Sequence, residues 1–362
     1  MLAIGLMSGT SLDGVDAALI ETDGESVAQP VAFRGEVYSD AARAELAEAT
    51  ALALTFDRPR ASPALVKAGE LIDRTHALAV HKLLREAGVS AGDVGVIGYH
   101  GQTVAHRPDR GWTWQIGDGA VLAAATGITT VSDFRSADVE AGGQGAPLLP
   151  IYHAARAAGL AGPVAVLNLG GVGNITFVGE DGTLVAFDTG PANGLIDNWV
   201  EAETGARYDV DGALAGSGRV HEAVLTAMLD HPFFDAPGPK SLDRSDFTIQ
   251  PARGLSAADG AATLTAFTAA TVAEALRHVP ARPRRLVVAG GGRHNPVLMR
   301  MIGERTGLLP EPADALGWNG DALEAEGFAF MAARTLKGLP ISFPGTTGVP
   351  APMPGGVVHH PA

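Results

Sequence analysis

The chain predicts an α/β fold in two halves, each built on a mixed sheet covered by helices. Two observations carry this. Three short strand patterns, followed by helical patterns and further strands, occur at the start of the chain and again from residue 164 onward. Gly-rich turns also fall at strand ends in matching places of the two halves. The repetition is of element order. No short-period sequence repeat exists, which excludes a solenoid.

In order, residues 2–6, 15–21 and 31–38 read as strands, with turns at 9–14 and 23–24. Residues 41–54 and 64–87 read as helices. In the second, Leu65, Ala68, Leu71, Ile72, Thr75, Leu78, Ala79 and Leu83 recur at helical spacing. Residues 94–98 read as a buried strand leading into Tyr99-His100-Gly101-Gln102-Thr103. A strand at 112–115, a helix at 117–126 and a strand at 129–131 complete the half. The second half has strands at 164–168, 174–178 and 184–187, with turns at 170–173 and 180–182. A helix begins near Ala192, after Thr189-Gly190-Pro191. A helix at 255–278, a strand at 285–289 and helices at 296–306 and 321–336 follow. Residues 230–254 lack a period and read as a surface excursion. Residues 338–362 are Pro/Gly-rich and carry little signal. The expected division is one domain of residues 1–130 plus 341–362 and a second of 131–340. Ligands of α/β folds sit at strand ends, so a cleft between the halves is the expected site.

At 362 residues with 46% hydrophobic and 18% charged content, the chain supports large cores. A formal net charge of −14 argues against nucleic acid or an anionic membrane as partner. There is no cysteine, which excludes disulfides, a thiolate nucleophile and thiolate metal sites, and suits a reducing cytoplasm. No secretory leader is expected, and no apolar run reaches the ~18 residues of a membrane span.

Three Gly-rich elements and one carboxylate carry the chemistry. The first is Gly5-Leu6-Met7-Ser8-Gly9-Thr10-Ser11-Leu12-Asp13-Gly14-Val15-Asp16 between two strands. Its N–H groups and hydroxyls suit an anion, and Asp13 or Asp16 could hold a cation. No Gly-Lys-Ser/Thr follows, so it is no Walker A loop. An ordinary hairpin is the competing reading. The second is Asn168-Leu169-Gly170-Gly171-Val172-Gly173-Asn174, and the third is Ala289-Gly290-Gly291-Gly292-Arg293-His294-Asn295 before a helix. Asp188 ends a strand just before a helix start and suits a cleft-facing base, with a turn cap as the alternative. Asp188-Thr189-Gly190 also matches the aspartic-protease triplet, but that chemistry needs two such carboxylates and an all-β fold. Arg135 suits a carboxylate ligand, with a surface ion pair as the alternative. The spacing of His100, His106, His359 and His360 makes no metal site, and the alternation of Trp112 and Trp114 reads as strand packing.

Taken together, these elements resemble the actin, Hsp70 and sugar-kinase superfamily. Within it, GLMSGTSLDGVDAALI, YHGQTVAHRP, QIGDGAVLA, VSDFRSADVEAGGQGAPLLP, LNLGGVGNITF, FDTGPANGLID and VVAGGGRHNPVLM resemble the anhydro-N-acetylmuramic acid kinase family from residue 5 to about 336. The resemblance implies two duplicated actin-like (ribonuclease H-like) domains with mixed sheets and an interdomain cleft. It implies a cytoplasmic, homodimeric enzyme of murein recycling that uses ATP and Mg²⁺. That enzyme opens 1,6-anhydro-N-acetylmuramic acid with water and phosphorylates O6. Asp188 would be the base. Gly9, Thr10, Ser11, Leu12, Asp13, Gly14, Val15 and Asp16 would cradle phosphate, with Gly170, Gly171, Gly173, Asn174, Gly290, Gly291, Gly292 and Asn295 completing the ATP site. His100, Gln102, Thr103, Arg135 and Glu324 would hold the sugar. Glu324 would otherwise be a first-turn carboxylate favoured by the helix dipole. Rival readings are a kinase of another sugar or carboxylate on the same fold, and a non-catalytic nucleotide-gated binding protein.

Overall fold

A computed structural model describes residues 1–242 and 246–361. The chain opens with β1 (Leu2–Ser8), β2 (Gly14–Thr22) and β3 (Ala28–Val37), then α1 (Asp40–Ala53) and α2 (Pro63–Ala87). Next come β4 (Val94–Arg107), β5 (Trp112–Ile116), α3 (Gly119–Thr126), β6 (Thr130–Ser132), α4 (Ser136–Glu140) and α5 (Pro150–Ala157). The second set is β7 (Val164–Leu169), β8 (Val172–Val178), β9 (Leu184–Pro191) and α6 (Asn193–Thr204). It continues through α7 (Ala213–Ser217), α8 (Glu222–Leu229), α9 (Pro232–Asp235) and α10 (Ala257–Ala275). The chain then runs through β10 (Arg285–Ala289), α11 (Pro296–Thr306), β11 (Pro310–Pro312), α12 (Leu323–Leu336) and β12 (Val357–His359).

The chain forms two compact units, Met1–Ala158 with Ala322–Ala362, and Gly159–Asp321. In the first unit the sheet order is β12-β6-β4-β1-β2-β3, with β5 added on β4. In the second it is β11-β10-β7-β8-β9. Both sheets share one plan: an antiparallel three-strand meander whose first strand pairs in parallel with the fourth, and the fourth with the fifth. This is the duplicated layout expected from the sequence.

The boundaries differ from the expected 130/131 and 340/341, for two reasons. β6 pairs with β4 on one side and β12 on the other, which ties residue 131 onward to the first sheet. α12 lies directly on that sheet's backbone. A Cβ at Gly5 would fall 1.7 Å from the Ala325 carbonyl oxygen, and one at Gly98 2.0 Å from that of Phe328, so only glycine permits the approach. Tyr152 and Arg156 of α5 both bond Glu326 of α12, which carries residues 150–157 along.

α2 shows how the pattern becomes packing. Ser62 caps its first turn by accepting from Leu65 N–H, Pro63 occupies the first position, and Gly88 closes it in the left-handed conformation. Its apolar stripe enters the first core, which also holds Ile4, Leu6, Leu19, Ile97 and Tyr99. Leu78, expected on that stripe, is 51% exposed. Asp73 and His76 are buried instead, because Asp73 accepts from the Tyr99 hydroxyl (2.8 Å) and from Asp118 N–H (2.8 Å). The second unit gathers Trp199, Phe187, Phe267, Leu264 and Leu298 around α10, which is buried along most of its length.

Candidate active site

In the first unit, β1 delivers the Gly-rich turn. Leu12 N–H bonds Gly9 O (3.1 Å), and Leu12 takes a left-handed φ of 54°. Thr10 and Ser11 are exposed, and among the described residues their hydroxyls have no protein partner. Asp13 is exposed on the turn, whereas Asp16 is paired into the β1–β2 ladder opposite Met7. Val15 turns into the core at 1% exposure, so its side chain is withdrawn from any ligand of this turn.

β4 extends well past the expected end at residue 98. Between Leu6↔Tyr99 and Ser8↔Gln102 it carries one residue more than β1, a bulge at His100-Gly101. The bulge re-aims two of the expected sugar residues. Gln102 is fully buried. Its Oε1 accepts from Ser8 Oγ (2.5 Å) and its Nε2 donates to Gly9 O (3.2 Å), so it braces the phosphate turn rather than offering itself to a sugar. Thr103 Oγ1 accepts from Gln115 Nε2 (3.1 Å).

His100 has one self-consistent assignment. Its Nδ1–H donates to Gly101 O (2.9 Å), leaving Nε2 to accept from Arg135 Nε (3.1 Å). Burial, reinforced by Arg135, holds its pKa well below the usual value, so the ring is neutral. Arg135 also donates through Nη1 to Gly145 O (2.7 Å). Burial lowers its pKa to about 10, with Glu324 and Asp138 opposing, and it stays a cation at neutral pH. Glu324 lies in the first turn of α12 and is partly open to solvent as a residue. Crowding by protein raises its pKa, Arg135 draws it down and Asp13 pushes it up. Asp13, Glu324, Arg135 and His100 are therefore electrostatic neighbours on one unit.

In the second unit, β7, β8 and β9 place Asn168, Asn174 and Asp188 in one row of directly opposed residues, all partly exposed. The Asp188 carboxyl is pushed up to about 7 by burial, opposed by one hydrogen bond: Leu242 N–H donates to Oδ2 at 2.8 Å. The β7–β8 turn is only Gly170-Gly171, shorter than expected. Its carbonyls accept from the N–H groups of Ala192, Asn193 and Gly194, so the α6 N-terminus is spent inside the protein.

The glycine triplet divides in the same way. Gly290 has φ 75°, and a Cβ there would lie 2.5 Å from Asn168 Oδ1; one at Gly292 would lie 2.6 Å from Leu169 Cβ. Both glycines serve packing. Gly291 is exposed and lines a cavity of about 480 Å³ with Asn193, Tyr208, Asp211, His294 and Asn295. Asn295 Oδ1 caps α11 by accepting from Val297 and Leu298 N–H (3.1 and 3.0 Å), so that oxygen is committed to the helix. Arg293, 5% exposed, anchors the turn through Gly290 O, Asp314 and Asp321.

Sequence reasoning missed three residues at these sites. Asn168 lay inside a quoted motif, and pairing of alternate strand residues could have put it beside Asn174. Leu242 and Arg43, whose Nε donates to Leu12 O (3.2 Å), carry no sequence signal because loop geometry brings them in. Among the described residues no three His, Asp or Glu side chains cluster as a metal site, and no helix is long and apolar enough to cross a membrane.

The family model described as anhydro-N-acetylmuramic acid kinase matches residues 1–361. A protein of that name from Rhizorhabdus wittichii is 68% identical over 362 residues, spanning 100% of this chain and 99% of the relative. One from Zymomonas mobilis is 54% identical, spanning 99% of this chain and 100% of the relative. Among solved structures, (R)-2-hydroxyglutaryl-CoA dehydratase component A from Acidaminococcus fermentans aligns with a TM-score of 0.48 at 13% identity, covering 92% of this chain and 99% of that one. A ROK family glucokinase from Streptomyces griseus, solved with glucose and AMPPNP, aligns with a TM-score of 0.40 at 14% identity, covering 92% and 100%. The chain belongs to the anhydro-N-acetylmuramic acid kinase family.

Proposed function

We propose that this chain is an ATP-dependent kinase that opens 1,6-anhydro-N-acetylmuramic acid with water and phosphorylates O6. The products are N-acetylmuramic acid 6-phosphate and ADP, and the setting is murein recycling in the cytoplasm. Family membership supports the substrate. The observation that carries the chemistry is Asp188, a carboxyl raised to about 7 by burial, with one oxygen bonded and the other without a partner among the described residues. A base needs its pKa near the working pH.

Asp188 takes a proton from water as the oxygen attacks the anomeric carbon. The bond from that carbon to O6 breaks. O6 attacks the γ-phosphorus, whose bond to the ADP oxygen breaks. Arg135, oriented by neutral His100, pairs with the lactyl carboxylate. Glu324 accepts from sugar hydroxyls. The turn receives phosphate oxygens on the free hydroxyls of Thr10 and Ser11 and on backbone N–H groups other than that of Leu12, and the nucleoside occupies the cavity beside Gly291.

Mg²⁺ characteristically takes one or two carboxylates and fills the rest of its shell with phosphate oxygens and water. An exposed carboxylate on the phosphate turn fits that demand, and Asp13 would hold the ion, with the half-buried Asp16 as the alternative. The ion would neutralise charge on the phosphates. We include a homodimer in this reading, checked by light scattering of the purified protein.

The deciding test mixes protein, ATP, Mg²⁺ and the anhydro-sugar and follows ADP. Sugar-dependent ADP release with a phosphorylated amino sugar supports the reading. ADP release indifferent to the sugar favours a nucleotide-gated binding protein, and turnover of glucose but not the anhydro-sugar favours another sugar kinase.

A further inference from the structure

Residues 230–254 carry no periodic signal, yet part of that stretch grips the proposed base. Asp188 N–H donates to Lys240 O (3.0 Å), and Leu242 N–H donates to Asp188 Oδ2 (2.8 Å). One short segment thus fixes both the backbone and the side chain of Asp188. Lys240 in turn fixes the segment. Its Nζ donates to Phe233 O (2.6 Å) and Ala236 O (2.7 Å), carbonyls at the two ends of α9. The ammonium lies 4.5 Å from the Phe233 ring centroid and 5.6 Å from that of Phe187, the residue before Asp188. The segment lies flat against β9, since a Cβ at Gly238 would sit 2.4 Å from the Phe187 ring.

We propose that residues 240–242 are the positioning element of the base: the Leu242 N–H anchors one carboxylate oxygen, and Lys240 pins the segment that presents it. The inference rests on Asp188 acting as the base. Anchoring Oδ2 leaves Oδ1 to receive the proton of the attacking water, which defines the direction of attack. Lys240 reaches Asp188 through the backbone and touches no substrate in this account, so it is a positioning residue. Its charge is balanced by carbonyls, ring faces and, at longer range, Asp235. Across the sheet from Asp188 stands uncharged Asn174, and Thr271 of α10 packs on the neighbouring Gly190; among the described residues Lys240, with Asp235 near it, is the charged group of the gripping segment.

The test uses the full-length protein with ¹³C-labelled aspartate carboxyls, the Asp188 signal being assigned by its loss in Asp188→Asn. A lost N–H bond to a carboxylate shifts its pKa by about one unit. Leu242→Pro removes the N–H and should raise the Asp188 titration midpoint by about one pH unit, carrying the acid limb of the kcat/KM profile with it. Leu242→Ala keeps the N–H and should keep the wild-type midpoint. Lys240→Met should raise the midpoint in the same direction and lower kcat about tenfold with KM for ATP unchanged, and Lys240→Arg should recover part of the loss. If Leu242→Pro fails to fold, Lys240→Met decides. Wild-type midpoints in the folded variants would overturn the proposal. The base assignment fails on a different result, near-wild-type turnover in Asp188→Asn, whatever the titrations show.

Discussion

Replacing Asp188 by Asn should cut turnover sharply and stabilise the protein, and the second effect should grow with pH. The folded carboxyl releases its proton near pH 7, against an ordinary 3.8. Between those values the unfolded chain is ionised while the folded one still holds its proton, so stability falls as pH rises through that window. A difference of about three units corresponds to about 4 kcal/mol at most. The side chain is partly open to water, and halving for that screening leaves about 2 kcal/mol. Asparagine carries none of this cost, and its Oδ1 can still accept from Leu242. Scanning calorimetry should therefore find the variant little changed at about pH 4, and about 4–8 °C more stable than wild type at about pH 8. Turnover should fall by about 10²–10⁴, the worth of a positioned base. A pH-independent shift, or a variant less stable at the higher pH, would refute the reasoning.

Three further substitutions separate roles. Gln102→Ala should raise KM for ATP about tenfold and leave KM for the sugar near wild type, because Gln102 braces Ser8 and Gly9; steady-state kinetics with each substrate varied checks this. Arg135→Met should cost about 10–100-fold in kcat/KM for the carboxylate-bearing sugar and far less for its uncharged amide analogue, which a paired substrate comparison reads. Arg156→Met strips a partner from Glu326, itself 2% exposed and also bonded by Tyr152. Denaturant unfolding should show a loss of about 3–5 kcal/mol, the usual result of leaving a buried charge unpaired.

The sequence revealed the parts of the fold that are periodic and local. β1, β2, β7 and β8 carry apolar runs bounded by glycine turns, and α2 carries a stripe with a serine cap and a glycine stop, so they were legible. β4 was cut short at Gly98 because His100-Gly101 forms a bulge, and a bulge breaks the two-residue alternation that marks a strand. α12 showed as a helix, but nothing in its own pattern says that it lies on the backbone of Gly5 and Gly98. That contact, made in three dimensions, moved the unit boundary.

The site shows the same split. Asp188 was legible as a lone acid at a strand end before a helix. Asn295 and Gln102 were legible as polar residues in motifs, but their hydrogen bonds belong to the protein: one caps α11 and the other braces the phosphate turn. Glycines 290 and 292 were read as ligand-facing, whereas close packing against Asn168 and Leu169 requires them. Leu242 was invisible because its contribution is a backbone N–H, which every non-proline residue possesses.

One enzyme should couple hydrolytic ring opening to phosphoryl transfer. The protein should be incubated with ATP, Mg²⁺ and anhydro-N-acetylmuramic acid in ¹⁸O-water, and the product examined by mass spectrometry and NMR. The product should carry ¹⁸O at the anomeric hydroxyl and phosphate on O6 of the same molecule. A phosphorylated sugar that retains its anhydro bridge, or an opened sugar without the label, would contradict it.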